Sequence, residues 1–273
     1  MVAMAARGEF SLTVEVVPPA GPDAEPLLTA LLAIAPLPFD GFSVASNPVA
    51  RPRMSALAFS ALVRQRTGKP ATLHVTTRDH NRLSLQGLLW GAAALGIQRV
   101  LVATGDYVAL ADAARTSAVR DLDVYDLIRL ARQVGLHTGV VLDPHPELNR
   151  LDEEVRRLEQ KVEAGAQFVV TQPVFDEAAA RTLYEAIRHI RIPVILGILP
   201  LRSARHAHFL HDNVAGIAVA EAVRQRMERA PDPSAEGIAN AREMLALAHR
   251  WFDGACLMPP FNHFETVARI LQA

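Results

Sequence analysis

Short runs of apolar and β-branched residues, each bounded by turn formers, alternate along the chain with longer stretches of helical period. The short runs predict strands at Leu12–Val17, Gly41–Ala45, Ala71–Thr76, Arg99–Ala103, His137–Leu142, Phe168–Thr171, Val194–Ile198 and Gly254–Met258. Between them the pattern predicts helices at Ala24–Ile34, Ser55–Arg66, Ser84–Leu95, Tyr125–Val134, Leu151–Ala164 and Glu177–Arg188. Later helices are expected at Ser203–Leu210, Ala220–Ala230, Glu236–Arg250 and Phe264–Leu271. The clearest unit runs from Leu158 to Asp176. Leu158, Val162 and Gly165 recur at helical spacing, and Gly165 can stop the helix because a residue without Cβ enters the left-handed region cheaply. Ala166–Thr171 then reads as a strand buried on both faces, ending in the polar Thr171-Gln172.

Strand–helix alternation implies parallel pairing through right-handed crossovers, and eight units in this length fit a (β/α)8 TIM barrel forming a single domain over residues 1–273. A doubly wound open sheet normally carries a glycine-rich phosphate turn after its first strand. Here that turn is Pro18-Pro19-Ala20-Gly21, so the barrel is preferred. The stretch from Pro200 to Gly254 carries two helical segments beyond the regular alternation.

Composition narrows the function classes. Hydrophobic residues make up 50% and charged residues 21% of the 273, which suits a globular enzyme with a large core. A net charge of −1 gives no electrostatic footprint for nucleic acid or an anionic membrane. The N-terminus lacks the apolar core of a signal peptide, and the longest apolar stretch, Leu27–Phe39, is too short to span a bilayer, so a cytoplasmic protein is expected. The single cysteine, Cys256, excludes an internal disulfide and reads as a small buried hydrophobe.

In a parallel barrel the carboxyl ends of the strands gather on one face, where the chemistry sits. The polar residues expected there are Glu15, Ser46-Asn47, His74, Thr76, Thr104-Gly105-Asp106, Asp143, His145 and Gln172. Glu15 lies within TVEVVPP, where a carboxylate is costly to bury unless protonated or paired. It is either a proton donor with a raised pKa or one half of an ion pair, and the residues alone leave both readings open. Gly105 could let a ligand approach the backbone, with Asp106 accepting hydrogen bonds from it; Asp106 could equally cap a helix. A lone strand histidine such as His74 is more often a satisfied core residue than a ligand. His206, His208 and His211 have no acid or cysteine at a recognised metal spacing, and no metal site is expected. Arg51 and Arg53 could hold a phosphate or carboxylate, or simply flank a helix start.

Taken in order, VEVVPP, SNPVARPRMS, LHVTTRDHNR, AALGIQRVLVATGD, HPEL with KVEAGAQFVVTQPVFD, GILPL and LMPPF resemble the methylenetetrahydrofolate reductase family over most of the chain. The resemblance implies FAD that passes hydride from NADH or NADPH to 5,10-methylenetetrahydrofolate, giving 5-methyltetrahydrofolate. It implies Glu15 as the general acid, Asp106 as a catalytic residue beside flavin and pterin, and Gln172 as a substrate contact. It also implies FAD contacts at His74, Thr104, Gly105, Asp106, His145 and Lys161, the lysine facing the diphosphate. The chain departs from the family at Thr104, where many members carry arginine, at Ala45-Ser46 in place of a threonine–aspartate pair, and at Arg120 in place of an aromatic. These departures place it nearer the short, divergent members, some of which work with partner subunits, so a homo-oligomer or a redox partner is implied. A folate-binding or methyltransferase-type barrel without hydride transfer, and a non-catalytic subunit of a one-carbon complex, are the alternatives.

Overall fold

The computed structural model describes residues 9–108, 112, 114–144, 150–214 and 216–272. Its strands are β1 (Ser11–Val16), β2 (Gly41–Val44), β3 (Ala71–Thr76), β4 (Arg99–Ala103), β5 (His137–Leu142), β6 (Phe168–Pro173), β7 (Val194–Ile198) and β8 (Gly254–Leu257). They pair in sequence order, all parallel, and β8 closes on β1 to make an eight-stranded barrel. The helices are α1 (Glu25–Ile34), α2 (Ala56–Thr67), α3 (Arg82–Ala94), α4 (Val124–Gln133), α5 (Leu151–Glu163), α6 (Glu177–Ile187), α7 (Ala204–Asn213), α8 (Glu221–Arg229), α9 (Pro233–Trp251) and α10 (Glu265–Leu271). Among the described residues no helix is long and apolar enough to cross a membrane.

The period-2 alternation of each strand divides its residues between two cores. Leu12, Val14, Val16, Phe42, Val44, Leu73 and Val75 face outward into one large cluster with helical residues such as Leu31, Phe59 and Leu89. Burying each such side chain contributes about 1.5–3 kcal/mol. The alternate positions face the lumen, where Leu101, Phe168, Val170, Ile195 and Cys256 form a small apolar cluster. Thr13, Glu15, Ser43 and His74 have the same inward parity on β1, β2 and β3, so one sector of the lumen is polar.

The helix starts follow from capping chemistry. Asn81, Asp123, Asp176 and Ser203 each accept a hydrogen bond from the backbone N–H three residues on, at 2.9, 2.7, 2.9 and 3.1 Å. Asn81 starts α3 at Arg82, two residues earlier than the apolar pattern implies. Asp232 caps α9 so that Pro233 occupies its first position, three residues before the expected Glu236. Gly165, at φ 115°, follows the end of α5 as the sequence suggests. The extra helices after Pro200 are α7 and α8. They pack with Phe175, Leu201, Ile217 and Val219 into a satellite core of their own, so the barrel's regular outer layer is supplemented rather than broken.

Candidate active site

Glu15 is an acid on the lumen side of β1. It pairs in register with Ser43 of β2, and among the described residues no arginine, lysine or histidine forms an ion pair with it. Burial first, and the Asp106 carboxylate second, push its pKa up from 4.5 to about 7. Of the two readings open from the sequence, the ion pair lacks its cation among the described residues. Cys256 reaches the same sector from β8. Burial and the charge of Glu15 raise its thiol to about 12, while the hydroxyls of Thr13 and Ser43 hydrogen-bond to it. His74 shares a 2.7 Å hydrogen bond between its Nε2 and the Ser43 hydroxyl, and burial lowers its pKa to about 4. The imidazole is therefore neutral near pH 7, and Ser43 links it to the neighbourhood of the acid.

Asp106 does not cap a helix, because α4 starts at Val124 under Asp123. Its exposed carboxylate instead accepts the Val49 N–H at 2.5 Å, from the turn that follows β2. That turn is strained: Asn47, Val49 and Ala50 have φ of 43°, 50° and 54°, and a β-branched residue such as Val49 is rarely found there. Thr104 and Gly105 stand beside Asp106 at the tip of β4, Thr104 exposed to solvent. Gly105 has φ 90°, and a Cβ on it would lie 3.2 Å from the Cβ atoms of both Thr76 and Arg78. The glycine is thus required by its own neighbours on the β3 tip, a reason different from the ligand approach expected of it.

Gln172 sits at a β-bulge. The register of β6 against β7 shifts between Val170 and Pro173, and Thr171 Oγ accepts the Gly197 N–H at 2.9 Å while donating to the Gln172 carbonyl at 2.8 Å. A Cβ on Gly197 would lie 2.4 Å from the Thr171 carbonyl oxygen, so the bulge depends on glycine there. Bulges re-aim side chains beside active sites. This one also carries β6 on to Pro173, beyond the expected end at Thr171.

Lys161 reaches from α5 to the β5 end of the barrel, where its ammonium donates to the Val141 carbonyl at 2.8 Å. Burial lowers its pKa, an effect opposed by Glu154 and Asp143. Asp143 lies against Gly216, whose Cβ, if present, would approach its carboxylate to 2.7 Å. His145 falls outside the described residues. Of the arginines after β2, Arg51 pairs with Asp112 at 3.2 Å, and the Arg53 N–H donates to Asn47 Oδ1 at 2.9 Å. His208 hydrogen-bonds Glu228 at 2.7 Å.

The structure also recruits residues that the sequence reading passed over. Arg78 and Asp79 form an ion pair at the tip of β3, at 2.5 Å and with the arginine side chain only 6% exposed. Ser43 was hidden within an otherwise apolar strand. Its inward parity, shared with Glu15, was the signal that could have found it. Asn262, in the turn after β8, accepts the Val17 N–H at 3.0 Å and donates to the Val17 carbonyl at 2.8 Å, extending the β8–β1 seam past the strands.

The comparisons point one way. The sequence profile of methylenetetrahydrofolate reductase matches residues 1–266. A 5,10-methylenetetrahydrofolate reductase of Pectobacterium carotovorum subsp. carotovorum is 25% identical over 204 residues, 71% of this chain and 65% of that protein. A probable methylenetetrahydrofolate reductase (NADPH) of Caenorhabditis elegans is 28% identical over 151 residues, covering 54% of this chain and 23% of its own. The matched regions thus span less than two thirds of the length of these relatives. Among solved structures, a Clostridium thermocellum protein that binds two copies of 5-methyl-5,6,7,8-tetrahydrofolic acid superposes with a TM-score of 0.73 at 15% identity, covering 97% of this chain and 96% of that one. At that identity the likeness concerns the fold alone.

Proposed function

The chain belongs to the methylenetetrahydrofolate reductase family, and from that premise we propose that it reduces 5,10-methylenetetrahydrofolate to 5-methyltetrahydrofolate at the mouth of the barrel, using FAD. The observation that carries this reading is Glu15, an acid without a cationic partner among the described residues and poised near neutral pH beside Asp106. Breaking the methylene bridge requires a proton on the departing folate nitrogen. The carbon–nitrogen electron pair stays with that nitrogen, and the carbon is left as an iminium on the other. A carboxyl with a pKa near 7 is half protonated at the pH of a cell, the condition under which general acid catalysis works best, contributing about 10²–10⁴-fold in rate. The Asp106 carboxylate has two effects. It holds the proton on Glu15, and its negative charge favours the cation that forms on the substrate. Gln172, set by the bulge, is assigned to the pterin edge, where a side-chain amide can both donate and accept.

The donor set along β3 to β6 fits a flavin dinucleotide. Lys161 brings a cation for the diphosphate to the β5 end, and the neutral His74 imidazole and the exposed Thr104 hydroxyl offer uncharged partners to a polar ring. When bound, FAD supplies the hydride, with NADH or NADPH as the source of electrons. The test is Glu15→Gln, which keeps the side chain's shape but has no carboxyl proton to give. Retained flavin with loss of folate reduction is the expected result; folate turnover at the wild-type rate would remove Glu15 from the mechanism.

A further inference from the structure

Arg78 occupies an unusual place for a charged side chain. It is 6% exposed, and its guanidinium is shared among the tips of three adjacent strands. Nε and Nη2 grip the two carboxylate oxygens of Asp79 at 2.5 and 2.7 Å. Nη1 donates to the main-chain carbonyl of Asp106 at 2.8 Å, and Nη2 also reaches the Asn47 carbonyl at 3.3 Å. Asp79 is held in turn by Asn47 Nδ2 at 3.0 Å and by the Thr76 hydroxyl at 3.4 Å. The Arg78 backbone joins the same knot: its N–H donates to the Thr104 carbonyl at 3.1 Å, and its carbonyl accepts from the Val119 N–H at 2.8 Å. Gly105 packs directly on the Arg78 side chain. An arginine with five donors in a rigid fork can hold these acceptors together, and a lysine cannot.

The two ends of the short Val49–Asp106 hydrogen bond are both governed by this knot. Asn47, two residues before Val49, and Asp106 each give their carbonyl to the same guanidinium. Thr104 supplies no charge of its own to the turn. We propose that Arg78 is a positioning residue, fixing the Asp106 carboxylate at the barrel mouth by tying the tips of β2, β3 and β4 together. The task set for Asp106 rests on the reductase reading above, whereas the tie itself does not, so the decisive readouts are independent of turnover.

Two variants preserve every charge and spoil only the fork: Arg78→Lys and Asp79→Glu. The first readout is hydrogen exchange at the Val49 amide, which reports directly on whether the Asp106 carboxylate is in place. The second is the titration midpoint of Glu15, followed by NMR with carbon-labelled glutamate. Glu15 is faced by Asp106 from β4 and Cys256 from β8, with His74 nearby on β3. His74 is neutral and Cys256 protonated near pH 7, so Asp106 is the charge that acts on Glu15.

In either variant, Val49 exchange is expected to quicken about tenfold, the scale of one lost hydrogen bond. The Glu15 midpoint is expected to fall by as much as it does in Asp106→Asn, with no further fall when Arg78→Lys and Asp106→Asn are combined. A lowered melting temperature with Val49 exchange and the Glu15 midpoint unchanged would make Arg78 a mere staple and overturn the proposal. So would additive shifts in the double variant. If Arg78→Lys does not fold, Asp79→Glu gives the same readings. Loss of folate turnover in wild-type protein would instead count against the reductase reading and leave the tie standing.

Discussion

Glu15→Gln should change how the stability of the barrel depends on pH, and the sign follows from the structure. Folding raises the Glu15 pKa from 4.5 to about 7. The folded state therefore holds the proton more tightly than the unfolded chain does. The stability this contributes is fully present below pH 4.5 and is lost as pH rises through about 7. At about 1.36 kcal/mol per pH unit, the displacement corresponds to a loss of roughly 3 kcal/mol across that window. Glutamine does not titrate, so the variant escapes the loss. It should lie close to the wild type near pH 4 and be more stable by about 3 kcal/mol at pH 8, or roughly 6–12 °C in melting temperature for a chain of this size. The assay is thermal and urea unfolding of both proteins at half-unit steps from pH 4 to 8.5. Parallel curves would show that Glu15 is not the buried acid with a raised pKa described above, whatever its effect on turnover.

Two further outcomes follow from the site. Gly197→Ala should lower stability by about 1–3 kcal/mol and weaken folate binding, because its Cβ would lie 2.4 Å from the Thr171 carbonyl and the bulge that aims Gln172 must move; unfolding curves and a folate titration read both effects. Lys161→Ala should lose FAD on gel filtration under conditions where the wild type retains it, and equal retention would remove the lysine from the diphosphate.

The barrel was legible because its strands are short apolar runs, most of them rich in β-branched residues and flanked by turn residues, and because the helices between them carry apolar faces. Val100 and Val102, or Leu12 and Val14, declare their strand and their outward face together. The polar positions of opposite parity, Glu15 and His74, were legible for the same reason, as breaks in an apolar pattern. The knot of Arg78, Asp79, Asn47 and Asp106 was not. Its members come from the ends of three strands, and no local period records that a charge after one strand will meet a carbonyl after the next. Asp106 illustrates the limit well. An aspartate after a strand has the local signature of a helix cap, and only the fold brings the Val49 amide to it. The bulge at Thr171 escaped for a similar reason, since it depends on Gly197 of the neighbouring strand.

The measurement that bears most directly on the account is a visible absorption spectrum of the purified protein with FAD, taken anaerobically. The bands of a bound oxidised flavin are expected, bleached by NADH or NADPH and restored by methylenetetrahydrofolate with formation of 5-methyltetrahydrofolate. No flavin bound at any concentration of FAD, with folate still bound, would contradict it and favour a barrel that holds folate without reducing it.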